Sequence, residues 1–136
     1  MADNYLQFSA QLDYQTDVQA DWLRAKLDEA AESDEGSVAS YEQETERKRF
    51  WLYAEEYGDP GRLADIIAEW QTTFGITEPF ALTWAETCSK LRLDEFSGGA
   101  VAVYKGEVKD CSPWQVVQAW IHERQAGNGR GRQPRG

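Results

Sequence analysis

The segment DPGRLADIIAEWQTTFG, residues 59–75, has the clearest periodicity in the chain. Asp59 followed by Pro60 is a typical helix start, because aspartate caps free amides and proline needs no amide hydrogen bond at the first helical position. Apolar residues then recur at i, i+3, i+4, i+7 and i+11, and Gly75 suits a left-handed C-cap. The pattern predicts an amphipathic helix over a hydrophobic core, and its apolar positions are Leu63, Ile66, Ile67, Trp70 and Phe74.

On both sides of this helix the apolar residues alternate with polar ones, which is typical of strands. Two capping boxes, at Thr16 and Ser112, predict further helices over 17–32 and 113–127. The order β-α-β-β-α-β-β-α indicates an α+β fold, a mainly antiparallel sheet of about five strands with three helices on one face. The predicted strands are 5–12, 38–46, 50–53, 79–88 and 100–104, with a short edge segment near 107–109.

The length and charge of the chain limit its organisation and its partners. A chain of 136 residues fits one domain, predicted over 1–126, followed by a flexible basic tail over 127–136. Neither a membrane-spanning run nor a signal-peptide pattern occurs, so we expect a cytoplasmic protein that does not bind membranes. The 24 acidic and 14 basic residues leave a net charge of -10, which repels nucleic acids and favours basic protein partners.

Residues with catalytic potential are few. His122 is the only histidine, so no metal site with two histidines can form. A nucleophile–base pair of Cys88 and His122 is conceivable, but the apolar strand around Cys88 favours a buried, reduced thiol. Carboxylate pairs at 55–56 and 94–95 reflect the abundance of acids, and the glycines of 97–99 are expected in a hairpin turn within a loop over 89–99. We therefore expect no catalytic residue, no cofactor and no metal.

The acidic residues are the remaining functional signal. Four acids of the first helix lie within about 60° of one another on a 3.6-residue period. Three glutamates of the following strand repeat at about 7 Å. Rows of like charge cost stability, so they indicate a basic partner. The expected partner-binding residues are Asp17, Asp21, Asp28, Glu32, Asp34, Glu35, Glu42, Glu44, Glu46, Glu55 and Glu56.

Three stretches carry a family resemblance: YLQFSAQL at 5–12, WLYAEEYG at 51–58 and TWAETCSKLRLDEFSGGAVAVY at 83–104. Over most of residues 5–122 the chain resembles small acidic accessory proteins of phages, conjugative plasmids and integrated elements. The resemblance transfers no active-site residue. It implies the setting of a mobile element, whose accessory proteins include anti-CRISPR and antirestriction inhibitors of host defence.

Together these features predict a non-enzymatic inhibitor that occupies the basic nucleic-acid site of a host defence complex as a DNA mimic. Direct contact with nucleic acid is not expected. Three alternatives stay open: an immunity protein against a basic nuclease toxin, a small enzyme that uses Cys88, and a structural or regulatory subunit. The target and the oligomeric state are open as well.

Overall fold

The computed structural model describes residues 4–34, 36–88 and 97–129. Within these ranges the chain forms one six-stranded sheet with the strand order β2-β3-β1-β4-β5-β6, and every pairing is antiparallel. This confirms the α+β class with three helices, and β6 adds a full strand to the about five expected. The elements are β1 (Asn4–Asp13), α1 (Asp17–Ala31), β2 (Ser40–Glu44), β3 (Arg49–Ala54), α2 (Pro60–Phe74), β4 (Phe80–Cys88), β5 (Ser97–Tyr104), β6 (Glu107–Cys111) and α3 (Pro113–Gly129).

Helix α2 forms as its local signals predict. The Asp59 side chain caps the helix, Pro60 is its first residue, and Gly75 ends it with φ at 62°. Its apolar face is buried, and the indole nitrogen of Trp70 donates a hydrogen bond of 3.0 Å to the carbonyl of Gln19 in α1. This bond joins the two helices that cover the sheet.

The core lies between α1 and α2 and one face of the sheet. On β3, Phe50 and Leu52 point into this core and are fully buried, while Trp51 and Tyr53 point the other way. Because side chains alternate along every strand, the sheet has a second face that neither α1 nor α2 covers. We call this second face the open face.

Two glycines expected in a loop belong to a strand instead. Strand β5 begins at Ser97, so Gly98 and Gly99 lie inside the sheet, and the expectation of a hairpin turn there is wrong. A Cβ on Gly98 would lie 2.6 Å from the carbonyl oxygen of Trp84, and a Cβ on Gly99 would meet the Trp84 indole ring. Glycine is required because β5 passes so close to β4. The rest of the predicted loop over 89–99 lies outside the described residues.

The turn between β5 and β6 agrees with the sequence. Lys105 and Gly106 both have positive φ, at 52° and 83°, which matches a two-residue hairpin turn. Strand β6 is therefore the edge of the sheet beside β5, and all five of its residues are exposed.

Helix α3 follows β6 after a single residue, Ser112. The predicted capping box is present, since the Ser112 hydroxyl accepts from the Gln115 amide at 3.1 Å and the Gln115 side chain accepts from the Ser112 amide at 3.3 Å. The helix runs to Gly129, two residues beyond its predicted end. Residues 127–129 of the expected tail thus continue α3, and 130–136 lie outside the described residues. No helix in the described ranges is long and apolar enough to cross a membrane.

Candidate functional site

The two predicted acidic rows lie on opposite sides of strand β2. Asp28 of α1 accepts a hydrogen bond of 2.9 Å from the hydroxyl of Tyr41, whose ring packs edge-on against buried Phe50. Tyr41 therefore faces the helices, and the next residue, Glu42, faces the open side. The structure does not bring the two rows together on one surface. The α1 row is exposed on the helical side and consists of Asp17, Asp21, Asp28 and Glu32.

The strand row is shorter than expected. Strand β2 ends at Glu44, and Glu46 lies in the turn that follows, so Glu46 does not extend the row. Glu35 lies outside the described residues. The other predicted partner residues are exposed just after secondary-structure elements: Asp34 after α1, and Glu55 and Glu56 after β3.

A stacked aromatic pair lies on the open face beside the strand row. The rings of Trp51 and Tyr53 are 4.0 Å apart between centroids and inclined by 22°. The Trp51 indole nitrogen donates to the Ser9 hydroxyl at 2.7 Å, and the Tyr53 hydroxyl donates to Glu42 at 3.4 Å. Trp51 is nevertheless 41% exposed, so the stack presents an aromatic surface to solvent whose orientation is held by hydrogen bonds.

Carboxylates lie near the aromatic pair on both strands that neighbour β3, but only the one on β2 lies directly opposite an aromatic residue. Glu42 of β2 lies opposite Trp51, while Glu44 of β2 and Asp13 of β1 lie opposite Arg49. Nε of Arg49 is 3.7 Å from Asp13, whereas no ion pair among the described residues involves Glu42. We call this cluster the aromatic–carboxylate patch, and its members are Trp51, Tyr53, Glu42, Glu44 and Asp13.

The charges at the patch are mixed, because Arg49 lies opposite both Glu44 and Asp13 and Nε of Arg47 is 3.8 Å from Glu44. This leaves Glu42 as the patch carboxylate without an ion pair among the described residues. Burial raises the pKa of the Tyr53 phenol, and the nearby carboxylates of Glu42 and Glu55 raise this pKa further. The raised pKa keeps the phenol protonated at neutral pH, so its hydroxyl continues to donate to Glu42.

Other aromatic rings of the chain already carry a cation. Lys26 lies over Trp22 at 5.3 Å, and Arg124 lies over Trp120 at 5.2 Å, measured to the ring centroids. A third contact joins Lys105 to the Tyr104 ring. Within the described part of the chain, no such contact covers the Trp51–Tyr53 stack. The Trp51–Tyr53 stack thus differs from these three rings in having no cation over it among the described residues.

The second half of the open face is a shallow groove of about 500 Å³ across β1, β4, β5 and β6. Its floor consists of small side chains, and Lys109 and Cys111 of β6 form one side. We call it the sheet groove, and the side chains that define it are Ala81, Thr83, Ala100, Ala102, Lys109 and Cys111.

The residues considered for catalysis do not assemble into a site in the described ranges. His122 is exposed on α3. Among the described residues, no group of three or more His, Cys, Asp or Glu side chains is placed to hold a metal ion. The side chain of Cys88 and the acids at 94–95 lie outside what the structure describes, so the alternative of an enzyme that uses Cys88 stays a prediction.

Sequence reasoning found Glu42 and Glu44 but missed the aromatic pair between them and β1. The signal was present in the alternation of 50–53, because buried Phe50 and Leu52 require Trp51 and Tyr53 to point outward. Large aromatic side chains at the outward positions of a strand mark a binding surface more specifically than acidic residues do.

No family model and no curated protein matches the chain. A solved structure that is similar is "LarC2, the C-terminal domain of a cyclometallase involved in the synthesis of the NPN cofactor of lactate racemase, apo form", at 18% identity over 89% of each chain and a TM-score of 0.36. This finding contradicts the predicted inhibitor of a host defence complex, because that domain belongs to a cofactor-synthesis enzyme. At this TM-score the likeness assigns no activity to the present chain. The resemblance to accessory proteins of mobile elements stays a prediction.

Proposed function

We propose that the chain is a binding module rather than a catalyst, and that the aromatic–carboxylate patch binds arginine side chains of a partner protein. One observation carries the proposal: Trp51, stacked on Tyr53 with 4.0 Å between ring centroids, is exposed beside Glu42, whose carboxylate accepts from the Tyr53 hydroxyl but has no ion pair among the described residues. The earlier expectation of a basic partner is kept, in the narrower form of an arginine-bearing segment.

Arginine suits the patch better than lysine for two reasons. The guanidinium group is planar and weakly hydrated, so it stacks on the face of an indole such as Trp51. It also donates parallel hydrogen bonds to a carboxylate, and Glu42 lies opposite Trp51 in the strand register. The two contacts can therefore be made by one side chain.

The spacing of the carboxylates favours an extended segment with alternating arginines. Glu42 and Glu44 are two residues apart on one strand face, which separates them by about 7 Å. Arginines at positions i and i+2 of an extended peptide have the same separation. A cation over an exposed aromatic ring contributes about 0.5–1 kcal/mol, and an exposed ion pair about 0.2–1 kcal/mol. Several arginines must therefore act together to give a useful affinity.

The same charges disfavour the other ligands that exposed aromatic strands bind. Bases of single-stranded nucleic acids stack on aromatic rings, but their phosphates require a positive groove. Here the phosphates beside the stack would meet the Glu42 carboxylate, which has no ion pair among the described residues. We place this function in the cytoplasm, where the exposed thiol of Cys111 stays reduced.

A peptide titration tests the proposal. The probe is a blocked peptide with three arginines at alternate positions, titrated calorimetrically against the full-length protein in low salt and in about 0.5 M NaCl. We expect binding that weakens with salt, and no binding of the glutamine-substituted peptide or of a single-stranded oligonucleotide. Arg130 and Arg132 have the same alternate spacing in the chain itself, so they can compete with the peptide. The titration is therefore repeated with R130Q/R132Q, which removes both arginines.

Two variants with the same change of charge separate the patch from general acidity. Glu42→Gln removes a carboxylate beside Trp51 and should weaken binding roughly 3- to 10-fold, in line with about 1 kcal/mol. Glu32→Gln removes an exposed carboxylate on the helical side and should change the affinity less than about twofold. Equal effects of the two substitutions would mean that net charge, and not the patch, attracts the peptide.

A further inference from the structure

Helix α3 exposes more apolar surface than a surface helix of a globular protein normally does. Its apolar side chains span about 160° on a 3.6-residue period, yet they do not pack into the core. Trp114 is 69% exposed and Trp120 57% exposed. We call this surface the α3 stripe, and its members are Trp114, Val116, Val117 and Trp120.

The sheet groove is a second apolar surface, and no helix or strand within the described ranges covers it. Its floor carries alanines on β4 and β5, although alanine is depleted in strands, and Ala100 and Ala102 lie side by side on one face. Small side chains on a sheet leave room for another element to approach closely. No residue of α3 lines the groove, so the helix of the same chain does not fill it.

We propose that two copies of the chain form a dimer in which the α3 stripe of each copy packs into the sheet groove of the other. The connection between β6 and α3 favours a second copy over the helix's own groove. It consists of Ser112 alone, whose reciprocal hydrogen bonds with Gln115 fix the start of the helix. Helix α3 contacts β5 of its own sheet, yet its stripe stays exposed and none of its described residues lines the groove. This proposal is independent of arginine binding at the aromatic–carboxylate patch.

The area available matches that of a stable dimer. Two half-exposed tryptophans and two valines offer roughly 400 Å² of apolar surface, since an aromatic side chain buries about 150–250 Å². Counting both partners of two reciprocal contacts gives on the order of 1,600 Å², which is a standard interface size. A single helix-in-groove contact would bury only half of that area.

The charges also suit contact between copies at these surfaces. Each copy has a net charge of -10, but α3 carries one acid and one base, Glu123 and Arg124. The residues that line the groove likewise include one base, Lys109, and one acid, Asp110. Salt screens the repulsion between the acidic bodies, so we expect the dimer to tighten as salt rises. Arginine binding at the patch should respond to salt in the opposite sense, so the two proposals can fail separately.

Analytical ultracentrifugation of the full-length protein over a wide concentration range tests the dimer. Trp114→Glu/Trp120→Glu disables the stripe, and Ala102→Arg blocks the groove. Each variant alone should weaken dimerisation at least about tenfold, because each removes both contacts. An equimolar mixture should form a heterodimer that is weaker than the wild-type dimer but tighter than either variant alone, since the intact helix of the groove variant can pack into the intact groove of the stripe variant. Ala119→Glu/Ala126→Glu, on the opposite side of α3, adds the same two charges as the stripe variant and should leave the dimer unchanged.

Reactivity of the Cys111 thiol provides a second measurement that does not depend on mass. Cys111 is exposed in a single copy and lines the groove, so its reaction with a thiol reagent should slow as protein concentration rises. Comparison with Cys111→Ser shows which part of the reaction with the reagent comes from the Cys111 thiol. A dimer that survives Ala102→Arg would mean that α3 pairs with α3 instead, and would overturn the proposal. A monomer at every concentration, or an equimolar mixture that stays monomeric, would overturn it as well.

Discussion

Gln71→Leu should destabilise the fold strongly, although the substitution keeps the volume of the side chain. Gln71 is only 1% exposed at the end of α2. Its amide nitrogen donates to the carbonyls of Glu78 and Val103, each at 3.2 Å, and its oxygen accepts from the Gly106 amide at 3.0 Å. One buried amide thus joins α2 to the segment before β4 and to both sides of the β5–β6 turn.

The expected loss follows from these three hydrogen bonds. A buried polar group left without a partner costs about 1–3 kcal/mol. The Val103 carbonyl loses its bond in the core, while the groups of Glu78 and Gly106 lie nearer to solvent. Leucine recovers part of the loss through its apolar surface. We expect a net destabilisation of about 2–4 kcal/mol, against a total stability of about 5–15 kcal/mol for a typical domain.

Urea unfolding measures this loss. With a slope of about 1.5 kcal/mol/M, the unfolding midpoint should fall by roughly 1–3 M. Gln11→Leu is the matched control, because Gln11 is exposed on the open face and makes one side-chain hydrogen bond, to Asp13 at 3.1 Å. The control should change the stability by less than about 0.5 kcal/mol. A loss below about 1 kcal/mol for Gln71→Leu would refute the role of the buried amide.

Two further predictions concern pH and close packing. Burial raises the pKa of the Tyr41 and Tyr53 phenols, aided by Asp28 and Glu42, so the folded chain keeps these protons more tightly than the unfolded chain. Their contribution to the free energy of unfolding is fully present below about pH 10 and is lost as pH rises through the raised pKa values. Tyr41→Phe/Tyr53→Phe should therefore flatten this part of the plot of urea midpoint against pH. Gly99→Ala should lower the free energy of unfolding by about 1–3 kcal/mol, measured in urea, because its Cβ meets the Trp84 ring. The control is Gly61→Ala in α2, where a Cβ meets only Asp59 at 3.5 Å, and it should be neutral or stabilising. Equal effects of the two substitutions would refute the packing argument.

The parts of the fold that local signals determine were predictable. Helix α2 begins at Asp59–Pro60 and ends at Gly75 because the caps act within one turn of the chain. Gly98 and Gly99 misled the prediction because the need for glycine there comes from Trp84, on another strand. A requirement that arises from a neighbour distant in sequence leaves no local pattern.

The candidate site was predictable only in part, for the same reason. The sheet face on which Glu42 and Trp51 lie follows from strand alternation, which is a local sequence pattern. The relation between the strand row and the α1 row depends on which sheet face α1 covers, and the contact of Asp28 with Tyr41 settles it. The apolar stripe of α3 was visible in the sequence, but its exposure depends on where the chain leaves β6.

Mapping the bound arginine peptide by nuclear magnetic resonance tests the central claim most directly. The peptide with alternating arginines is added to isotope-labelled full-length protein, and the backbone and indole signals are followed. The account predicts shifts confined to the open face of β1, β2 and β3, with the Trp51 indole signal and the Glu42 amide among the largest. Shifts concentrated on α1 around Asp17 and Asp21, or no saturable shifts at all, would contradict it.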